Sequence, residues 1–205
     1  MATSGKKERI SDRKRRAILQ AAVSEFRSRG FDNTSMDQIA ETANVSKRTV
    51  YNHFPSKEDL FSAIMQQLVC CADVIVEFEY QTGVSLEHQL TAIATQIVDT
   101  VGDDHFQNLA RVVMSRMMTA PELGEVLTQQ TGKIDRHLAD WLTAAHRDKQ
   151  LRVPQAEVAA EQLVGLLLSY AFWPRLIGVT KQIHRTPPKK YIKECVTMFL
   201  KAHCR

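Results

Sequence analysis

The chain has 205 residues, 44% of them hydrophobic, which is enough for one large domain or a small domain followed by a larger one. No apolar run approaches the roughly 18 residues of a membrane span. The first residues are charged with no apolar stretch behind them, so we expect a cytoplasmic protein without a secretion signal. The net charge is +4, but residues 1–57 hold 12 Lys and Arg against 6 Asp and Glu, a net of +6. This asymmetry indicates that the N-terminal quarter binds a polyanion, although a solvated basic tail would explain it equally well.

The first predicted element is a helix over residues 12–29, whose apolar side chains repeat at intervals of three and four and fall on one face. Gly30 ends it, because glycine tolerates the left-handed conformation of a helix C-terminus. Thr34 is the predicted N-cap of a short second helix that reaches about residue 42. Asp37, three residues later, completes a capping box with it.

A break of three residues, 43–45, separates the second helix from the third. Asn44 suits this break, since asparagine is one of the few non-glycine residues that accept a positive φ. Ser46 is the predicted N-cap of the third helix, which runs to His53 and cannot continue past Pro55. The spacing therefore predicts two short helices joined by a tight turn.

Ser56 is the predicted N-cap of a long fourth helix, with Asp59 completing its box, and the helix extends to about residue 79. After Gly83 the chain again shows only helical spacing. We predict helices over residues 85–101, 105–119, 122–149, 155–180 and 188–202. Pro174 lies inside the fourth of these and is expected to kink it.

Residues 35–54 form a helix-turn-helix pattern. A miniature core that fixes the crossing angle is predicted from Ile39, Ala40, Val45 and Val50. The second helix of the motif then presents to a DNA major groove the side chains of Lys47, Arg48, Thr49, Tyr51 and Asn52. These donor-rich side chains suit guanine and adenine edges and phosphate oxygens.

The segment over residues 18–61, ILQAAVSEFRSRGFDNTSMDQIAETANVSKRTVYNHFPSKEDLF, resembles the DNA-binding domain of the TetR/AcrR family along its whole length. Two positions depart from the family pattern. Asn44 stands where glycine is commonest and can take the same backbone shape, whereas Arg48 stands where glycine is frequent. The arginine puts a longer cation on the reading face, which would alter sequence preference.

The resemblance implies a role in DNA binding for nine residues. Phosphate contacts are implied for Thr34, Ser46, Tyr51, His53 and Lys57. Base contacts are implied for Lys47, Arg48, Thr49 and Asn52. Lys57 also lies at a helix N-terminus, where backbone amides favour an anion. The alternatives are that Thr34 and Ser46 only cap helices and that Tyr51 only packs, while Phe54 is a core residue.

The C-terminal half is similar to the AefR-like ligand domains of one TetR subgroup, through LARVVMSRMMTAPELGEVL, AEVAAEQLVGLLLSYAFWPRLIG and VTMFL. The similarity implies a helical bundle with a ligand cavity and a dimer interface. Arg116 stands where this subgroup commonly has an acidic residue, so no effector is carried over from relatives. The candidate cavity residues are Phe106, Met114, Met117, Met118, His137, Trp141, Tyr170 and Trp173. Each of these has an alternative interpretation as ordinary core, and His137 as a satisfied or exposed histidine.

The apolar residues of the last two helices are sufficient for a four-helix dimer interface. They are Leu163, Leu166, Leu167, Phe172, Leu176, Val196, Phe199 and Leu200.

The sequence thus predicts an all-α fold, with a three-helix N-terminal helix-turn-helix domain joined by a long helix to a C-terminal helical bundle. We expect a basic arm over residues 1–11, the DNA-binding domain over 12–72, and a ligand-binding and dimerisation domain over 73–205. The predicted function is a sequence-specific transcriptional regulator. We expect a homodimeric repressor that binds a near-palindromic double-stranded operator and is released by a small apolar or amphipathic effector, without a membrane partner.

Other classes of protein fit the sequence less well. An enzyme is not favoured, because no Gly-rich phosphate loop, His-Glu-x-x-His or Ser-His-Asp signature occurs. No metal or cofactor is expected, since Cys70, Cys71, Cys195 and Cys204 form no Cys-x-x-Cys pair or zinc spacing. A nucleoid-type or RNA-binding module would spread its positive charge over the whole chain.

Overall fold

The computed structural model describes residues 10–73, 78–131, 133–179 and 186–204. In these ranges the secondary structure is helical, apart from an isolated antiparallel bridge between Leu151 and Cys204. The helices are α1 (Ile10–Arg29), α2 (Met36–Thr42), α3 (Lys47–His53), α4 (Lys57–Asp73), α5 (Leu86–Gly102), α6 (Asp104–Met117), α7 (Glu122–Thr131), α8 (Lys133–Arg147), α9 (Ala156–Ala171), α10 (Trp173–Leu176) and α11 (Pro188–His203). The prediction of an all-α fold is confirmed.

The chain forms two compact units that are not continuous in sequence. The first unit contains residues up to Gln67 together with Asn108–Glu122. The second contains Leu68–Gln107 and the residues from Leu123 onwards. Helices α4 and α6 therefore each contribute residues to both units.

The core of the first unit lies where α1, α2 and α3 pack on one another. Ile18 and Ala22, one turn apart on α1, are fully buried, as are Ile39 on α2 and Val50 on α3. The predicted core residue Val45 is only partly buried. Burial of one apolar stripe per helix leaves the opposite face of α3 available to solvent.

The turns around α2 follow the predicted backbone chemistry, with one exception. Gly30 has φ +80° and Asn44 has φ +51°, so both adopt the left-handed conformation expected of them. The prediction of Thr34 as N-cap of α2 is wrong. Ser35 is the cap, because its Oγ accepts from the Gln38 N–H while the Gln38 side chain accepts from the Ser35 N–H.

The second unit is organised around α5, α8, α9 and α11, which pack pairwise on one another. Leu90, Leu142, Leu163 and Val196 supply one fully buried residue from each of these helices. Apolar side chains on the facing stripes form a single contiguous core, as a helical bundle requires.

One of the predicted helices is interrupted. In the region predicted as one helix over 122–149, the described residues are helical over Glu122–Thr131 and Lys133–Arg147, and residue 132 lies outside the described residues. The region predicted over 155–180 contains α9, which ends at Ala171, and the four-residue α10. Pro174 lies in the first turn of α10, where its missing N–H is tolerated, so the helix restarts at this point instead of bending.

Candidate nucleic-acid interface

The second helix of the motif, α3, is fixed at both ends and along one face. Ser46 is its N-cap, as predicted, and its Oγ accepts from the Thr49 N–H at 3.2 Å. The hydroxyls of Ser46 and Thr49 also lie 2.8 Å apart. Val50 and Phe54 are buried. A helix of only seven residues depends on such caps and packing for its stability.

The opposite face of α3 is polar and open to solvent. Lys47, Arg48, Tyr51 and Asn52 are exposed, while Thr49 and His53 are partly buried. Guanidinium, amide and hydroxyl groups on one short helix are the donors and acceptors that base edges and phosphates require. The structure therefore brings most of the predicted DNA-binding residues together on one surface, and their contact with DNA stays a prediction.

Lys47 is not independent of the rest of the motif. Its Nζ lies 2.8 Å from the Asp37 Oδ1 on α2. The hydrogen bond to this carboxylate, together with its charge, raises the pKa of Lys47 above its usual value. Lys47 therefore reaches the exposed surface as part of an ion pair.

Two of the predicted phosphate contacts, Thr34 and Lys57, have side chains directed into the protein. Thr34 is 3% exposed, and its hydroxyl donates to the Gly30 carbonyl at 2.8 Å. The Lys57 Nζ donates to the carbonyls of Phe31 at 2.7 Å, Thr34 at 3.0 Å and Asp32 at 3.3 Å. An ammonium group has three donors, so all the donors of Lys57 are occupied by carbonyls of the α1–α2 turn, residues 30–35.

Phe31 lies in this turn, and its ring contacts side chains from several helices. It packs against Phe26 and Phe61, with ring centroids 5.1 and 5.7 Å away. Lys57 Nζ and Arg116 Cζ lie 4.6 and 4.4 Å from its centroid, within the range of a cation–π interaction. Two cations therefore contact one aromatic side chain in the turn that precedes the helix-turn-helix motif.

Arg116, on α6, also holds Asp32. Its guanidinium donates to both carboxylate oxygens, at 3.2 and 3.3 Å. Asn108, also on α6, makes a second contact: its Oδ1 accepts from the Arg27 guanidinium of α1 at 2.5 Å. Sequence reasoning missed Phe31, Asp32 and Arg116 as a group. The available signal was Arg116 itself, a cation where the related subgroup commonly has an acid.

The eight candidate cavity residues are differently placed. Trp141 and Phe106 are buried, and Met114, Met117, His137 and Tyr170 are partly buried. Met118 is 84% exposed and Trp173 is about half exposed. The three methionines belong to the first unit, whereas the other five residues belong to the second.

Four of the candidates in the second unit contact other side chains, and two of these, Phe106 and Trp173, contact Phe172. The Trp141 indole N–H donates to the Gln89 Oε1 at 3.3 Å, and the Tyr170 ring stacks on Tyr191 at 4.3 Å. Two grooves of about 480 and 520 Å³ lie along α5, and none of the eight candidates lines them. The assignment of these residues to an effector cavity stays a prediction.

Family comparisons agree with this architecture. A helix-turn-helix unit with a donor-rich second helix, followed by a helical unit, defines a class of DNA-binding transcriptional regulators. Residues 18–64 match the family described as "Bacterial regulatory proteins, tetR family". Residues 88–205, more than half of the chain, match "AefR-like transcriptional repressor, C-terminal domain". The chain belongs to the TetR family of transcriptional regulators, which is not a family of enzymes.

Solved structures show the same fold over nearly the whole chain. A TetR family regulator from Pseudomonas syringae pv. tomato strain DC3000 is 38% identical, with a TM-score of 0.78, over 95% of this chain and 99% of that one. The flavonoid-responsive regulator FrrA is 26% identical, with a TM-score of 0.72, over 94% and 98%.

Curated relatives are similar over shorter stretches. The regulator RutR of Escherichia coli strain K12 is 45% identical over 67 residues, so the chain spans only about a third, 32%, of RutR. The transcriptional activator FasR of Mycolicibacterium smegmatis is 28% identical over 163 residues, or 79% of this chain and 73% of FasR. Among the described residues, no helix is long and apolar enough to cross a membrane.

Proposed function

We propose that this regulator is a homodimeric repressor that binds a near-palindromic operator through α3 and leaves it when a small apolar or amphipathic effector binds. The observation that carries the proposal is the construction of α3. One face is locked by Val50 and Phe54, its N-terminus is capped by Ser46, and the remaining face carries Arg48 and Asn52 in solvent. A rigid helix that presents flexible donors is the arrangement that reads a major groove.

Within this interface we divide the predicted residues into contacts and supports. Arg48, Asn52, Thr49 and Lys47 are the proposed base contacts, and Ser46, Tyr51 and His53 are the proposed phosphate contacts. For Thr34 and Lys57 we propose a supporting role, because their polar groups already bind carbonyls of the α1–α2 turn. They would then fix the position of α2, and the residues of α3 would read the base sequence.

The dimer follows from the size of the interface. One short recognition helix covers only a few base pairs, so adequate specificity requires two copies on successive major grooves. Most of the residues predicted for a dimer interface, including Leu163 and Val196, are buried within the chain, but α9 and α11 also carry exposed apolar side chains, among them Val158 and Met198, which are available to a second copy. The proposed dimer interface lies in the second unit.

Ligand release draws its support from relatives and from the size of the second unit. The protein FrrA, similar over 94% of this chain, is a flavonoid-responsive regulator. A helical unit of this size exceeds what DNA binding alone requires. Release demands that operator DNA weakens effector binding by the same factor by which the effector weakens DNA binding.

Selection of bound DNA from a random pool, combined with sedimentation, tests the dimer and the operator. We expect an inverted repeat whose half-sites are centred about one helical turn apart, roughly 34–36 Å, bound by a dimer. A monomer at micromolar concentration that binds the selected DNA tightly would contradict the proposal. So would a selected pool without two-fold symmetry.

An activator is the second candidate, because the relative FasR, similar over 79% of the chain, is an activator. Transcription in vitro from a promoter that carries the selected operator separates the two. A repressor lowers the yield of transcript in proportion to operator occupancy, and an activator raises it. Higher yield on addition of the protein would replace the repressor proposal by the activator.

A further inference from the structure

Two glutamines are buried in the second unit, and their hydrogen bonds differ. Gln89 Nε2 donates to the Gln81 and Val84 carbonyls, at 3.0 and 2.9 Å. Its Oε1 accepts from the Gln81 N–H at 2.9 Å and from the Trp141 indole at 3.3 Å. Two donors and two acceptor sites are all that an amide offers. Gln89 is therefore fully satisfied by the protein, and its role is to hold the segment before α5.

Gln107, on α6, is 2% exposed and is satisfied on one side only. Its Nε2 donates to the Val101 carbonyl at 2.6 Å and to the Phe172 carbonyl at 3.4 Å. Its Oε1 is buried and has no hydrogen-bond partner among the described residues. Rotating the amide would place oxygen against two carbonyl oxygens, so the orientation of the group is fixed by its donors.

A buried acceptor without a partner is costly in a folded protein and calls for an explanation. The donors of Gln107 already join the end of α5 to the break between α9 and α10. The unpaired oxygen contributes nothing to that connection. Any hydrogen-bond partner of Oε1 is therefore a group outside the described residues, such as a water molecule or a ligand.

The Phe172 carbonyl that Gln107 binds belongs to a group of aromatic residues. Phe106 lies edge-on to Phe172 at 6.1 Å between ring centroids, and Phe172 lies edge-on to Trp173 at 5.0 Å. Trp173 and Ile177 are exposed, so the aromatic group continues from the core to the surface. Apolar walls with one fixed polar atom are typical of sites that bind and orient small apolar molecules.

We propose that the Gln107 Oε1 accepts a hydrogen bond from the effector, at a site walled by Phe106, Phe172 and Trp173. The ligand class is a molecule with an aromatic or aliphatic body and one hydroxyl donor, of which alkylphenols are simple examples. This assignment rests on the proposed release by an effector and adds the chemical group that is recognised.

The test compares ligands that differ only in the donor. A series of para-alkylphenols, from cresol to nonylphenol, and the corresponding methyl ethers are titrated into the full-length protein by calorimetry. We expect the best phenol to bind about tenfold more tightly than its ether, because an ether leaves Oε1 unpaired. Equal affinity within each pair, or no binding by any member of the series, overturns the proposal.

Variants assign the preference to one side chain. Gln107→Met keeps the length of the side chain and removes the acceptor together with the donors to the Val101 and Phe172 carbonyls, and we expect it to bind phenol and ether equally. Gln89→Met, a matched change at the satisfied glutamine, should lower the melting temperature and retain the phenol preference. A preference that persists in Gln107→Met, as it would if a buried water occupied the oxygen, overturns the proposal. Its loss in Gln89→Met as well would do the same.

Operator release is measured separately with the same compounds. Release by phenol and ether alike would leave ligand-induced release intact and exclude recognition by Gln107. Phenol binding that depends on Gln107 but leaves the operator bound would establish the site and contradict release. The two proposals therefore fail in different ways.

Discussion

The α1–α2 turn and the exposed face of α3 lie in the same unit, and family resemblance assigns DNA contacts to both, yet they use their polar groups in opposite ways. In the turn, the Thr34 hydroxyl and the Lys57 ammonium both bind backbone carbonyls. On α3, Arg48, Tyr51 and Asn52 extend into solvent. The turn binds its own polar groups, whereas α3 carries donors in solvent, which we propose to be the groups that read DNA.

The difference arises from the backbone. A left-handed residue at Gly30 ends α1, and the carbonyls of the following residues have no helical partner. Backbone carbonyls away from water must find donors, and the long side chain of Lys57 reaches three of them. A residue that resembles a phosphate ligand can thus be required by the fold itself. Substitutions in the turn and on the exposed face of α3 test this difference between the two regions.

The largest effect is expected for Lys57→Met. The variant loses three hydrogen bonds from a charged donor, which contribute roughly 1.5–3 kcal/mol each without being additive. We expect the free energy of unfolding to fall by about 2–4 kcal/mol, measured by urea denaturation. Affinity for operator and random DNA should fall together, because α2 and α3 are no longer held.

Lys14→Met is the matched control, since Lys14 is an exposed lysine on α1. It should leave the unfolding free energy nearly unchanged. If Lys57→Met instead keeps full stability and lowers the salt dependence of DNA binding by about one counterion, Lys57 is a phosphate contact. The supporting role would then be wrong.

On the exposed face of α3, Arg48→Gly should change the sequence specificity of DNA binding and leave the fold intact. Loss of a guanidinium that binds a base edge costs about 1–3 kcal/mol at one base-pair position. We expect selection from a random pool to yield the same operator with relaxed preference at a single position in each half-site. Equal weakening on operator and random DNA would show that Arg48 binds phosphate.

Sequence reasoning succeeds where the determinant is local. Gly30, Asn44 and Ser46 each impose or permit a particular backbone conformation, and all three adopt it. The N-cap of α2 shows the limit, because Thr34 and Ser35 are adjacent and each is followed three residues later by a box residue. The Thr34 hydroxyl binds the Gly30 carbonyl, four residues earlier, and is not available as a cap, and the burial of Thr34 that accompanies this bond depends on how the helices pack.

Long-range groupings could not be predicted from one sequence. Arg116 and Asp32 lie 84 positions apart, and Arg27 and Asn108 lie 81 apart. These contacts group residues 108–122 with the helix-turn-helix, although local spacing shows only a helix within a second helical region. The unpaired oxygen of Gln107 is equally invisible in the sequence, since its counterpart Gln89 is the same residue with every bond made.

A smaller effect is expected where α6 meets the turn. Asp32→Asn, Arg116→Gln and the double variant form a thermodynamic cycle. The Asp32 side chain is 71% exposed and that of Arg116 is 25% exposed, so solvent screens the pair. We expect a coupling of about 0.5–1 kcal/mol.

Arg116→Gln alone should cost more than Asp32→Asn, because it also loses the contact with the Phe31 ring. The cycle is followed by urea denaturation at low and high salt, and the coupling should shrink at high salt. Additive effects of the two substitutions would show that the ion pair does not hold the turn.

The smallest effect is expected for Asp37→Asn, which removes the carboxylate that binds Lys47 beside the exposed face of α3. Asp37 binds Lys47 at the start of α3, and both side chains are mostly exposed. The substitution removes a negative charge from the surface that we propose to face phosphates and leaves Lys47 with all its donors. We expect affinity for random DNA to rise about two- to fivefold at low salt and the gain to fade as salt increases. Stability should hardly change, because exposed ion pairs contribute little.

Glu41→Gln, at an exposed acid on the same helix, measures the effect of charge alone. A gain from Asp37→Asn that exceeds this control shows that Lys47 is restrained by its partner. Weaker binding would mean the opposite, that Asp37 positions Lys47 for its contact and belongs with the residues that support the motif.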